Sequence, residues 1–88
     1  MEKPKYRSLE QAVHLELLAP LGQQLLALRK FRRMTQAELA EKVNKGSSVV
    51  GKYEKGSVNL TISILAQLSQ ALDCKLEIVL TPFEHLEQ

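Results

Sequence analysis

The chain has 88 residues, 44% of them apolar and 25% charged, with a net charge of +2; it is too short for a second core and too apolar for a disordered segment. One cysteine, Cys74, and two distant histidines, His14 and His85, exclude an intrachain disulfide and give no metal-ligand spacing, so neither metal nor cofactor is expected. No apolar run approaches the ~20 residues of a membrane span, and no signal-type apolar stretch follows Met1-Glu2-Lys3-Pro4-Lys5, so the expectation is a cytoplasmic protein without membrane contact.

The charge is unevenly spread. Residues 29–55 hold eight bases and three acids, residues 1–28 three of each, and residues 56–88 one base against four acids. A basic middle is the electrostatic footprint of a nucleic-acid binder, although a solvated surface would look the same by charge alone. The four aromatics, Tyr6, Phe31, Tyr53 and Phe83, leave the core to Leu, Ile, Val and Ala, which favours packed helices.

Ser8 opens the first predicted helix as a capping box with Gln11, and Leu9, Ala12, Val13 and Leu17, with Leu15 and Leu18, give residues 9–19 an apolar face. Pro20 lacks an N–H and suits the first turn of a new helix, so a break is expected near Ala19 and a second helix over 20–32, with Leu21, Leu25, Leu28 and Phe31 at helical spacing. Thr35 and Glu38 form another capping box for a helix over 36–43, with Ala37, Leu39, Ala40 and Val43 inward. Asn44-Lys45-Gly46 is a turn signal. A short helix over 47–54 follows, with Val50 and Tyr53 inward and Gly56 as its stop. Two short helices joined by such a turn are a helix-turn-helix.

Thr61 caps the last predicted helix, 62–72, with Ile62, Leu65, Ala66, Leu68, Ser69 and Leu72 inward. From Cys74 to Leu80 the pattern changes to a period of two, with Leu76, Ile78 and Leu80 on one side and Lys75 and Glu77 on the other. This predicts a lone strand, which needs a partner for its backbone groups, and the simplest partner is its copy in a second subunit. No nucleophile is paired with a base, so no enzyme is expected.

The run Leu21-Gly22, Leu28-Arg29, Met34-Thr35-Gln36-Ala37-Glu38-Leu39-Ala40, Val50 and Glu54-Lys55-Gly56 resembles the helix-turn-helix of phage repressors and Xre-type regulators. The resemblance covers residues 20–73, with Asn44 where the family usually has Gly and Gly46 where it often has a polar cap. It implies that the helix over 47–54 enters the major groove of DNA, with Ser47, Ser48 and Lys52 at base-reading positions; lysine prefers guanine O6 and N7, while serine discriminates weakly. It implies phosphate contacts from Gln36, Lys45, Gly46 and Lys55, and a structural salt bridge between Arg29 and Glu54, with a phosphate as a second role open to Arg29.

The passage from Ala71 to Pro82 is similar to the end of HipB-like antitoxins, in which a strand after the last helix pairs across the dimer axis. The expected fold is therefore all-α: five helices in a repressor-like helix-turn-helix domain, with a short C-terminal β-strand pairing across a homodimer. Its parts are an N-terminal extension (1–19), the DNA-binding domain (20–73), a dimerisation strand (74–81) carrying Leu76, Ile78 and Leu80, and a tail (82–88). The leading functional expectation is a repressor of its own HipBA-like toxin–antitoxin operon, bound to a palindromic operator and to a cognate toxin, a HipA-like kinase. The alternatives are a stand-alone Xre-type repressor of a prophage or restriction system, and a protein-interaction adaptor on the same fold. The N-terminal helix is expected to pack on the domain and offer a surface to a partner.

Overall fold

Pro20 sets the shape of the first third of the molecule. Its ring cannot sit over the carbonyl four residues back in a regular helix, and it has no N–H to donate there. In the computed structural model, which describes residues 5–84, the chain meets this demand without breaking. Helix α1 (Leu9–Val13) passes into a π-turn (His14–Leu18), in which the Ala19 N–H donates to the carbonyl of His14, and then into α2 (Ala19–Phe31). The wider turn opens the backbone just ahead of the proline ring. The two helices expected on either side of Ala19 are thus one continuous rod.

Helices α3 (Gln36–Lys42), α4 (Ser47–Lys55) and α5 (Ile62–Ala71) follow. Four helical rods therefore make up the described residues, rather than five separate helices. The expected C-terminal strand is also absent there: residues 74–80 form no ladder. The period-two pattern was a real sequence signal, but a strand exists only when its backbone groups are paired. Leu76 is half-buried, whereas Ile78 and Leu80 are 57% and 94% exposed. The segment over 74–78 instead runs beside an apolar groove lined by Leu17, Leu21, Leu28, Leu65, Leu76 and Ile78.

Leu25, Leu39, Ala40, Val43, Val50, Tyr53, Leu68 and Leu72 form the core. Phe31, Ile62, Ala37 and Ala66, expected to face inward, are exposed. Phe31 lies instead beneath its neighbour, with the Arg32 guanidinium 5.1 Å from the ring centre. Arg32 also donates to the carbonyls of Leu72 (2.9 Å) and Asp73 (3.1 Å), so it caps the end of α5 from the end of α2.

The helix stops follow one pattern. After α2, α3, α4 and α5, an N–H reaches back five residues to a helical carbonyl: Met34 to Arg29, Lys45 to Ala40, Ser57 to Lys52 and Cys74 to Ser69. This is the Schellman arrangement, which places one residue in the left-handed region. Those residues are Arg33 (φ 58°), Asn44 (58°), Gly56 (71°) and Asp73 (56°).

Candidate nucleic-acid interface

Helix α4 has two faces set by its sequence. Val50, Tyr53 and Glu54 are buried, while Ser47, Ser48, Lys52 and Lys55 are exposed. The helix starts at Gly46, which supplies no side-chain cap, and the exposed Lys45 stands immediately before it. The three expected base-reading residues therefore lie on the solvent face, with Lys45 at one end of the helix and Lys55 at the other. The packed face holds this display in place.

The hold on α4 is a buried polar network. Arg29 Nε donates to Glu54 Oε2 at 2.6 Å, Nη2 to Oε1 at 3.2 Å, and Nη1 to the carbonyl of Met34 at 2.8 Å. Both residues of the pair are 8% exposed. Arg29 is thus spent on α4 and on the turn before α3, and its second expected role, on a phosphate, does not fit this burial. Among the described residues no buried side-chain polar atom lacks a partner, the condition under which an interior ion pair is tolerated.

Gln36 joins the same network. Its amide Nε2 donates to Glu54 Oε1 at 3.0 Å, linking the start of α3 to the end of α4. Gly51 faces it: a Cβ there would stand 3.4 Å from Gln36 Nε2, in ordinary contact. The sequence pointed to Gln36 as a phosphate contact and missed its bond to Glu54, because a glutamine at a helix start carries no mark of its distant partner. Gln36 remains exposed, and an amide nitrogen has a second hydrogen to offer outward.

Helix α3 is fixed by its capping box. Thr35 Oγ1 accepts from the Glu38 N–H at 3.0 Å, and Glu38 Oε1 accepts from the Thr35 N–H at 2.8 Å. Donation by the Thr35 N–H, and then by its hydroxyl, holds the Glu38 carboxyl below its ordinary range.

Gly22 was part of the sequence resemblance, but its packing role emerges only in three dimensions. A Cβ at Gly22 would lie 2.4 Å from the carbonyl oxygen of Glu54 and 2.6 Å from that of Tyr53. The α2 rod therefore touches the backbone of α4 directly. His14 donates from Nδ1 to the carbonyl of Gly56 at 2.9 Å.

Two short helices at a fixed turn, the second presenting a polar and basic face, define a helix-turn-helix protein. Residues 25–79 match the Helix-turn-helix family, and the chain belongs to it. It is 38% identical over 52 residues to the Immunity repressor protein of Bacillus phage phi105, covering 59% of this chain and 36% of that one. It is also 38% identical over 61 residues to Vegetative-specific protein H7 of Dictyostelium discoideum (69% and 59% covered), and over 56 residues to Multiprotein-bridging factor 1 of Candida albicans (64% and 37%). The fold is similar to that of the restriction-modification controller protein C.AhdI from Aeromonas hydrophila, with a TM-score of 0.64, 33% identity, and 66% of this chain and 88% of that one covered. The matches span 59%, 36% and 37% of the lengths of these three curated relatives. By family and by relatives the chain stands with helix-turn-helix proteins and not with enzymes. No helix among the described residues is long and apolar enough to cross a membrane.

Proposed function

We propose that the protein is a sequence-specific DNA-binding repressor or controller of the phage and restriction-system kind, acting as a homodimer on a palindromic operator. In this reading α4 lies in the major groove. Ser47, Ser48 and Lys52 meet base edges, with Lys52 setting most of the preference. Gln36, Lys45, the Gly46 N–H and Lys55 meet phosphates on either side. The observation that carries the reading is the exposure of Ser47, Ser48, Lys52 and Lys55 on a helix anchored from behind by the buried Arg29–Glu54 pair, which the exposed Gln36 joins.

The similarity to a phage immunity repressor and to a restriction-modification controller favours this over a HipBA-like antitoxin. The antitoxin expectation drew on a C-terminal strand that the described residues do not form. A self-association surface is proposed at Ile78 and Leu80, whose apolar side chains stand in solvent, with Leu76 at its inner edge. Selection from a random duplex pool, followed by mobility-shift titration, tests the proposal. The expected product is a two-fold symmetric site whose halves lie about 34 Å apart.

A second reading, a protein-interaction adaptor, is favoured by the similarity to multiprotein-bridging factors. Absence of binding to any duplex at low salt, where phosphate contacts are strongest, would leave the adaptor as the reading that stands.

A further inference from the structure

We propose that the segment from His14 to Gly22 is a brace that fixes the direction of the recognition helix by gripping its C-terminal end. The inference uses the proposed role of α4, but the grip itself is a statement about the free protein. It lies largely outside the residues that match the family, which begin at residue 25.

Two carbonyls in the last turn of α4, and the stop that follows, meet this rod. Those of Tyr53 and Glu54 face Gly22, at distances that only a glycine permits. The carbonyl of Gly56 accepts from His14. A Cβ on Gly56 would lie 2.8 Å from the Cα and N of Ala19 and from the carbonyl carbon of Leu18, so the stop of α4 rests on the rod's backbone. Gly56 is doubly required, since its φ of 71° is also left-handed.

The π-turn is what lets His14 and Gly22 act together. They are eight residues apart in sequence, which in a regular helix of 3.6 residues per turn sets them roughly 80° apart around the axis. One residue absorbed by the wider turn makes the spacing count as about seven, close to two full turns. His14 and Gly22 then share the side that faces α4. Pro20 keeps the turn wide, because closing it to a regular helix would drive the proline ring into the carbonyl of Glu16. Pro20, the π-turn, His14 and Gly56 thus form one chain of constraint that ends on the reading helix.

The test uses the full chain with His14→Ala, which removes the donor, and His14→Asn, whose amide nitrogen is bonded to Cγ as the imidazole Nδ1 is and so keeps a donor at the same reach. Amide hydrogen exchange is followed at Gly56 and Ser57, whose N–H groups close the end of α4 on Tyr53 and Lys52. It is compared with a core amide and with urea stability. The expected result for His14→Ala is exchange at least ten-fold faster at these two amides than the change in global stability accounts for, partly restored in His14→Asn. Operator affinity should fall several-fold in His14→Ala while the preferred sequence stays the same. Pro20→Ala, which lets the turn close, should show the same exchange signature with the histidine intact.

Exchange at Gly56 and Ser57 that only tracks global stability would overturn the brace. So would unchanged operator affinity in His14→Ala despite faster exchange. If the wild-type chain binds no duplex, the DNA reading fails, and the exchange measurement alone decides whether α4 is gripped.

Discussion

The guanidinium of Arg29 and the carboxylate of Glu54 meet fork to fork across 25 residues of sequence, and among the described residues no other charged side chain is buried. Their positions tie the last turn of the first rod to the inner face of the reading helix. Removing one partner leaves the other buried and charged. Arg29→Met or Glu54→Leu should therefore each cost about 3–5 kcal/mol in urea unfolding. The double variant should lose much less than the sum, because the unpaired charge that dominates each single loss is gone. Additive losses would show that the pair is not coupled.

The exposed lysines should separate by role. Lys52→Ala should cost about 1–3 kcal/mol on the selected site and relax preference at one base pair. Lys45→Ala and Lys55→Ala should weaken all duplexes alike and each lower the slope of log affinity against log salt by about 1. An equal loss on every sequence for Lys52→Ala would make it a phosphate contact.

Gly22→Ala pits two known effects against each other. Alanine improves a helix interior by about 1 kcal/mol over glycine, but its Cβ would meet two backbone oxygens of α4 at 2.4 and 2.6 Å. Backbone cannot swing aside as a flexible side chain can, and overpacking of this kind costs about 1–3 kcal/mol. The clash should win. Thermal unfolding at or above the wild-type midpoint would contradict the close approach.

The left-handed stops predict a stabilising change. Arg33 holds φ 58° with a long side chain, a conformation that costs an L-residue about 1–2 kcal/mol. Glycine removes that cost and gives back about 0.4–1 kcal/mol through the unfolded chain. Arg33→Gly should therefore raise stability, while Asn44→Gly should change it little, since asparagine tolerates this region. Calorimetry of the two variants side by side decides the matter.

The pH dependence follows from Glu38. Its carboxyl is held below the ordinary range in the folded state by donation from Thr35. The group contributes stability that is present above its unfolded value and is lost as pH falls through the lowered folded value. Glu38→Gln should lower stability at neutral pH and flatten the acid limb of a stability–pH curve, so that variant and wild type converge at low pH.

Much of this was legible in short stretches of sequence. Thr35 and Glu38 announce a helix start because both partners of the box lie within one turn, and Asn44 and Gly56 mark stops by backbone preference alone. Ser47, Ser48 and Lys52 were expected at reading positions through the family resemblance, and the fold leaves all three exposed. Pro20 was ambiguous: a proline at a new helix start and a proline behind a π-turn leave the same trace. The tail misled for another reason, since alternation from Leu76 to Leu80 states a preference that only a neighbouring strand can satisfy. The bond from Gln36 to Glu54 and that from His14 to Gly56 span 18 and 42 residues, beyond the reach of any local pattern.

The surplus residue in the first rod gives it a tolerance that runs one way. Excising one position between His14 and Pro20, with the proline exchanged for alanine, would leave a plain helix whose imidazole still points where it does now. Adding one there would carry that ring about 100° around the axis and strand it in water. Homologues that lack both the bulge and the proline should accordingly be one residue shorter at this place, not longer.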